Sequence, residues 1–440
     1  MLDIKGDFRT YSKYVSLNVA GMIGTSVYVL ADTLFVANGI GEKGIAALNL
    51  ALPVFSLVQG LSFMLGIGGA TWYSILRAQN KHEEAIKSYN QTLLFGALIS
   101  FVIILLGLFG SESITKLVGA NQETFTMTNT YIKVIMLFSP FFIFNNLLVA
   151  FIRNDRNPKL AMAAMLLGSL INIVFDYIFI FPLDMGMFGA VLATICAPIF
   201  GLILMSTHFK RAENSLRLTK IKFKFKSFWA IIKLGISSFI SEMSSGIVMF
   251  IFNILILGIA GNVGVAAYGV ISNLAIIAIA IFTGVAQGIQ PIISHIFGLR
   301  NSKLLNRNLI YGLITSLSIS VLIYLIIGMS SEQLISFFNR DNNMILAEIA
   351  KEGLLIYFVG MFFAGFNIIA IACLSAMDQS GLAFRFSILR SVILIVPLSF
   401  VLANSFDLTG VWASFVLTEA ITSVLISWQL YRSNKQRIII

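Results

Sequence analysis

Long, uninterrupted apolar runs recur along this sequence from one end to the other. A helix needs about 20 consecutive apolar residues to cross a bilayer. Lipid offers no partner to an exposed backbone N–H or C=O, so only helices and closed barrels span it. The runs here are continuous rather than alternating, which argues against a barrel. Length and periodicity place helices at roughly 14–37, 47–73, 91–110, 131–152, 160–182, 188–208, 229–258, 265–294, 309–330, 353–377, 387–405 and 410–431. Only 11% of the residues are charged, against roughly 25% in a soluble domain. Lipid is therefore the solvent for most of the chain. The expected fold is an all-α polytopic membrane protein with twelve transmembrane helices.

The connections alternate in basic content. One set carries Lys5, Arg9 and Lys13; Arg77, Lys81 and Lys87; Arg153, Arg156 and Lys159; the run Lys210 to Lys226; Arg300, Lys303 and Arg307; Arg385 and Arg390; and Arg432, Lys435 and Arg437. The other set carries only Lys43, Lys116 and Arg340, while Lys133, Lys233 and Lys351 sit near helix ends. Basic loops stay in the cytoplasm, so both termini are expected inside, with an even number of spans. The net charge of +10 is spread over every inner loop, so it reads as topology and contact with anionic lipid, not as a nucleic-acid patch. Residues Met1 to Lys13 are polar and lead into no cleavage pattern, so no removable signal peptide is expected. Cys196 and Cys373 both lie in apolar runs and form neither a disulfide framework nor a metal motif.

The longest inner loop is the natural midpoint. It divides the chain into two six-helix lobes, 1–208 and 229–440, joined by a basic linker at 209–228. Within the linker, Lys220-Ile-Lys-Phe-Lys-Phe-Lys226 alternates charge and apolar bulk, a pattern suited either to an anionic leaflet or to a solvated linker. The lobes are internal repeats. The segment Ile45 to Lys87 aligns without gaps on Val265 to Arg307, which places Ala46 and Ala47 on Ala266 and Ala267, Gly68 on Gly288, and Ser74 on Ser294. Further on, Phe144-Asn145 falls on Phe366-Asn367, and Gly189 falls near Gly410. Parallel repeats of this kind build transporters that open alternately to the two faces.

Four acids fall inside the spans: Asp32, Asp176, Glu242 and Glu419. A charged side chain at mid-bilayer costs at least about 2.5 kcal/mol, so each needs a partner or a purpose. Asn172 lies one turn before Asp176 on the same helix face. Oxygen ligands at that spacing suit an alkali cation or a shared proton, or they satisfy each other between packed helices. Glu242 sits among Ser241, Ser244 and Ser245, which favour close helix packing. Gln287 and Gln290 precede Pro291, which is expected to interrupt the eighth span and line a substrate cavity. Glu419 is either a third cavity residue or a hydrogen-bonded interhelical acid. The glycines of the second span, Gly60, Gly66, Gly68 and Gly69, read as close-packing positions. The 16 Met and 38 Phe residues face lipid or core, and some suit a broad apolar-cation pocket.

The chain resembles the multidrug and toxic compound extrusion (MATE) family at four signatures. These are Ala31-Asp-Thr-Leu-Phe-Val36 with Gly41; Arg153-Asn-Asp-Arg-Asn-Pro158; Leu170-Ile-Asn-Ile-Val-Phe-Asp-Tyr-Ile-Phe-Ile-Phe181 with Gly186, Gly189 and Thr194; and Gly288-Ile-Gln-Pro291 with Gly410-Val-Trp412 and Glu419. The resemblance implies a V-shaped pair of lobes in the bacterial inner membrane. It implies a secondary active multidrug exporter that antiports organic, mostly cationic, compounds against Na+ or H+. It also implies that Asp32, Asn172, Asp176 and Thr194 form a cation site in the N-terminal lobe, with Na+ one occupant, and that Glu242 contributes to a second site. Many relatives carry a proline early in helices 1 and 7; here Leu17-Asn18 and Ile236-Ser237 stand in those regions.

Other functions fit less well. A lipid or oligosaccharide flippase of the same two-lobe plan would need cations in its cavity for a pyrophosphate head group. An enzyme would need clustered ligands, whereas His82, His208 and His295 are scattered. A channel has no use for two pseudo-symmetric halves with lone buried acids. The expected protein is a monomer with a small-molecule substrate, membrane lipid around it, no nucleic-acid partner and no cofactor beyond the coupling ion.

Overall fold

The computed structural model describes residues 7–339 and 343–435, and all regular structure among them is helical. Lys5, Arg340 and Arg437, used above for topology, lie outside the described residues. In chain order the helices are α1 (Phe8–Gly39), α2 (Glu42–Ala78), α3 (His82–Leu117), α4 (Phe125–Leu137), α5 (Ser139–Asn154), α6 (Pro158–Ile180), α7 (Gly186–Ser206), α8 (Phe225–Gly298), α9 (Ser302–Phe338), α10 (Met344–Tyr357), α11 (Gly360–Ala376), α12 (Ser380–Ile388) and α13 (Ile395–Lys435). A π-helical segment, Leu389–Leu394, joins the last two.

These helices make twelve spans among the described residues. The α4–α5 and α10–α11 pairs are each one span, bent by 52° and 47°. Two long runs each hold two spans. Helix α8 breaks at Gly261, where φ is +61°, and α13 breaks at Phe406 and Asp407. A positive φ is cheap only for glycine, so Gly261 turns the chain between the seventh and eighth spans. Pro291 does not interrupt the eighth span as expected: its backbone stays helical. Proline φ matches helix geometry, so the residue removes one hydrogen bond without forcing a break. Several helices are longer than the bilayer requires. The 36 residues of α3 extend about 54 Å, so their ends project past the roughly 30 Å apolar layer. Asparagines begin three of the helices: Asn157, Asn301 and Asn343 each accept a hydrogen bond from the backbone N–H three residues on.

The chain forms two compact units. The first is Ser16–Met243; the second joins the start of α1, up to Val15, to everything from Ser244 onward. The boundary therefore passes within α8 and not through the basic linker, and the first turns of α1 belong to the second unit. Both arrangements follow from close glycine packing. In the first unit a Cβ on Gly68 would strike the Ile231 carbonyl oxygen, and one on Gly235 would strike the Met64 carbonyl. In the second unit a Cβ on Gly288 would lie 2.7 Å from Val15 Cα and 2.9 Å from the Tyr14 oxygen. Tyr11 adds a hydrogen bond from its hydroxyl to Thr315 Oγ1 at 2.7 Å. The two seats are repeats of each other: Gly68 corresponds to Gly288, and Leu234-Gly235 corresponds to Tyr14-Val15, each 220 positions apart.

A buried carboxylate ties the loop after α5 into the first unit. Asp155 Oδ1 accepts from Arg77 Nη1 at 2.7 Å and from the Tyr73 hydroxyl at 3.0 Å. Its Oδ2 accepts from the Ser215 N–H and pairs with His208 Nε2, both at 2.9 Å. The other His208 ring nitrogen meets Asn157 Nδ2 at 3.2 Å. Burial opposes the charge on Asp155. The His208 and Ser215 bonds, with the Arg77 charge and the Tyr73 hydroxyl, outweigh it and hold the carboxyl below its ordinary value. One side chain thus joins α2, the end of α7 and the linker.

Two outcomes test this packing. Gly68→Ala and Gly288→Ala should each lower the thermal midpoint of the purified protein or give aggregated material on size-exclusion chromatography, because backbone atoms occupy the space a methyl needs. Gly246→Ala and Gly328→Ala should be near neutral, since nothing lies within 4 Å of either Cβ position. Asp155→Asn should cost about 3 kcal/mol, as for a buried pair broken on one side. A depressed carboxyl stabilises the fold above its unfolded value and loses that contribution as pH falls through its folded value. The difference in midpoint between wild type and Asp155→Asn should therefore persist above about pH 4 and close in stronger acid.

Candidate ion-binding site

Asp32 on α1 and Asp176 on α6 meet inside the first unit. Their carboxyl groups lie within hydrogen-bond reach of each other. Asp176 and Asn172 have no exposed surface, and Asp32 is only 8% exposed. No protein group donates to either oxygen of Asp176 or to Oδ1 of Asp32, and both amide atoms of Asn172 lack a partner. Five buried polar atoms on these three residues thus have no hydrogen-bond donor or partner from the protein. Buried polar groups left this way cost about 1–3 kcal/mol each.

Charge bookkeeping narrows what the cluster can hold. Two ionised carboxylates in contact repel strongly where water is scarce. One positive charge between them, a proton or an alkali cation, removes the repulsion. The available donors are carboxylate and amide oxygens, a hard set that suits Na+ and not a soft transition metal. Among the described residues no group of three or more His, Cys, Asp or Glu forms a metal cluster. Thr194 on α7 completes the vicinity. It is 4% exposed, its hydroxyl donates to the Ala190 carbonyl at 3.1 Å, and it lies within hydrogen-bond reach of Tyr131.

Two tyrosines belong to this neighbourhood and were not singled out from the sequence. Tyr131 on α4 is buried in the neighbourhood of Asp32 and Asp176. Tyr28 precedes Asp32 by one turn of α1 and lies in the neighbourhood of Asp176 and Glu242. The spacing of Tyr28 to Asp32 was a readable signal. Tyr131 carried none, because only tertiary packing brings α4 to α1. Glu242 is half-buried on α8, within the first unit. Among the described residues no Lys, Arg or His makes an ion pair with Asp32, Asp176 or Glu242.

The remaining acid is differently placed. Glu419 on α13 is 3% exposed and accepts from Arg390 Nε at 3.0 Å and Arg390 Nη2 at 2.5 Å. Asn367 Nδ2 donates to its other oxygen at 2.6 Å, and the Ser423 hydroxyl donates to Asn367 Oδ1 at 3.0 Å. Arg390 lies in the π-helical segment, where the widened turn aims it at α13. Glu419 is thus an interhelical acid whose charge is already neutralised. Gln287 and Gln290 are both buried in the second unit, 7% and 3% exposed.

A family profile described as MatE matches residues 19–178 and 237–401. The chain belongs to the MATE family. Among curated MATE relatives, it is 27% identical over 412 residues to the multidrug export protein MepA of Staphylococcus saprophyticus, covering 92% of this chain and 89% of that one. MepA of Staphylococcus aureus strain MRSA252 is 27% identical over 416 residues, with the same coverage. Among solved structures, an outward-facing multidrug resistance MATE transporter superposes with a TM-score of 0.90 at 23% identity, covering 97% of both chains. A MATE transporter in complex with MaL6 gives 0.91 at 22% identity, covering 97% and 96%. A MOP-superfamily transporter from Pyrococcus furiosus, described as having a binding pocket of reversed polarity, gives 0.88 at 22% identity, covering 96% of both chains. These likenesses establish the MATE fold of twelve helices in two lobes.

The ion pair in the second unit makes a testable contrast. Arg390→Met alone should cost about 3–5 kcal/mol, because it leaves Glu419 buried and charged. Adding Glu419→Leu should recover most of that loss in thermal stability. A double variant no more stable than Arg390→Met would mean that the carboxylate does more than answer the arginine.

Proposed function

We propose that the chain exports small organic cations from the cell by antiport, with Asp32 and Asp176 as the coupling pair. The observation that carries this reading is the buried contact of two carboxyls that no protein donor reaches. The pair binds one Na+ or one proton, Asn172 adds a neutral oxygen, and Thr194 and Tyr131 hold the rim in place. Binding and release of that charge on opposite faces would bias the halves, 1–208 and 229–440, between their two openings. Re-entry of one charge down 100 mV supplies about 2.3 kcal/mol. The MepA relatives, named as multidrug export proteins, support a broad substrate range. Three acids without basic partners in the first unit support a cationic cargo over the anionic head group of a flippase. The alternation of basic loops supports an inner-membrane protein with both termini in the cytoplasm.

The test is uphill export of a fluorescent organic cation from proteoliposomes, with a Na+ gradient at clamped pH and then a pH gradient without Na+. One of the two should drive export. Asp32→Asn and Asp176→Asn should each abolish it in protein that remains monodisperse. The double variant should be no worse than either single one, since two residues that share one charge act as a unit. Asn172→Ala should weaken the apparent ion affinity without abolishing transport. Full gradient-driven export by the double variant would remove the site.

A further inference from the structure

The linker between α7 and α8 is not a loose tether. Asn90 and Gln91, at the start of α3, are 5% and 3% exposed and clamp it from one side. Asn90 Nδ2 donates to the Arg217 carbonyl at 2.8 Å, while its Oδ1 accepts from the Thr219 N–H at 3.0 Å. Gln91 repeats the device five residues on, donating to the Lys222 carbonyl at 2.6 Å and accepting from the Lys224 N–H at 3.4 Å. Each amide bonds residues two apart, as the backbone of a neighbouring strand would. Asp155 holds the Ser215 N–H, Leu216 is buried, and the rings of Phe223 and Phe228 both pack edge-on against Phe95.

This clamping decides which side chains face outward. Along an extended segment alternate residues point the same way. With Phe223 turned to Phe95, Lys220, Lys222 and Lys224 project from the opposite face. Arg217, these three and Lys226 are all exposed, and among the described residues none of the five makes an ion pair. Large apolar groups stand beside them: Leu218, Phe225 and Trp229 are 78%, 68% and 62% exposed. The segment runs directly into α8, a membrane-crossing helix, so it sits at the lipid boundary. Cations mixed with exposed aromatics at that depth match a headgroup layer: phosphates for the lysines, the interfacial zone for the rings. A soluble polyanion would leave Leu218, Phe225 and Trp229 in water.

We propose that residues 215–229 form a preorganised basic strap that docks on the anionic phospholipid headgroups of the membrane surface. Because the backbone is already held, docking orders only side chains. The proposal does not depend on transport, on the coupling ion or on orientation, so it stands or falls apart from the exporter reading.

The test uses the full chain in phosphatidylcholine nanodiscs containing phosphatidylglycerol, where both surfaces carry the same lipid. Trp229 is the reporter, its signal being the part of the tryptophan fluorescence lost in Trp229→Phe. Quenching by tail-brominated phosphatidylglycerol is compared with quenching by tail-brominated phosphatidylcholine. The expected result is a preference for the anionic lipid of at least about fivefold, the worth of one surface cation. It should fall to about one in the Lys220→Gln, Lys222→Gln, Lys224→Gln, Lys226→Gln variant, and in wild type at about 1 M salt, where the screening length is about 3 Å. Equal quenching by the two lipids in wild type at low salt would overturn the proposal, as would a preference that survives the four substitutions. If the variant fails to insert, the salt arm in wild type decides in the same way.

Discussion

A polar group taken into lipid keeps only the partners the protein brings with it. Water cannot rescue an orphaned carbonyl there, so the backbone must bond to itself along each helix. The architecture follows from that demand. Where a helix must stop, the chain supplies a substitute: an asparagine side chain at the start of α6, α9 and α10, or a glycine at positive φ within α8. Side chains obey the same rule. Arg153, 1% exposed, donates to Asn18 at 2.6 Å, and Glu419 is met by both Arg390 and Asn367. Among the described residues, Asp32 and Asp176 differ from these two: they are buried acids with carboxyl oxygens that no protein group donates to, and Asn172, one turn from Asp176, has both amide atoms without a partner.

Helices in lipid gain little from hiding apolar surface, because the tails outside are as apolar as the core. Close packing has to supply the attraction instead, and small residues allow it. Gly68 and Gly235 bring α2 and α8 to backbone contact in the first unit, while Gly288 accepts the start of α1 in the second. Each unit is completed by the leading turns of a helix whose remainder lies in the other. The arrangement recurs because the repeats descend from one pattern: the same glycine, 220 positions on, receives the same stretch of the corresponding helix.

Much of this architecture is legible in the sequence. Apolar length located the spans, since roughly 20 apolar residues admit few other interpretations. The acids stood out by their cost, and the i, i+4 spacing put Asn172 beside Asp176. Helix ends were less legible, because residues beyond the apolar layer stay helical without an apolar signature, as in α3 and α9. Pro291 misled because a proline announces a missing hydrogen bond and not a break. Arg390 reads as part of the loop after α11, for nothing local says that a π-turn will aim it at Glu419. Tyr131 and the hold of Asn90 and Gln91 on the linker were invisible for a related reason. An Asn-Gln pair near the start of a helix reads as solvated surface until an extended segment 127 to 133 residues away comes to lie on it.

The two repeats share a scaffold and differ in what it carries. By the 220-residue offset of the first helices Asp32 corresponds to Phe252, and by the 221-residue offset that places Gly189 on Gly410, Asn172 corresponds to Ile393, Asp176 to Pro397 and Thr194 to Phe415. Each of these four polar residues of the first unit has an apolar counterpart in the second. Phe252 and Phe415 are built into an aromatic core there, with Phe415 stacked on Tyr357 at 4.1 Å and Tyr268 on Trp412 at 5.8 Å. Asn145 and Asn367 occupy equivalent positions, yet only Asn367 meets an acid, and that acid already has its arginine. A backbone duplicated for packing tolerates such divergence, because twelve helices close around apolar and polar fillings alike. What it does not tolerate is an uncompensated charge, so the second repeat filled the position with rings while the first kept two carboxyls in contact. Two ionised carboxyls in contact repel strongly where water is scarce, so the pair favours one shared positive charge.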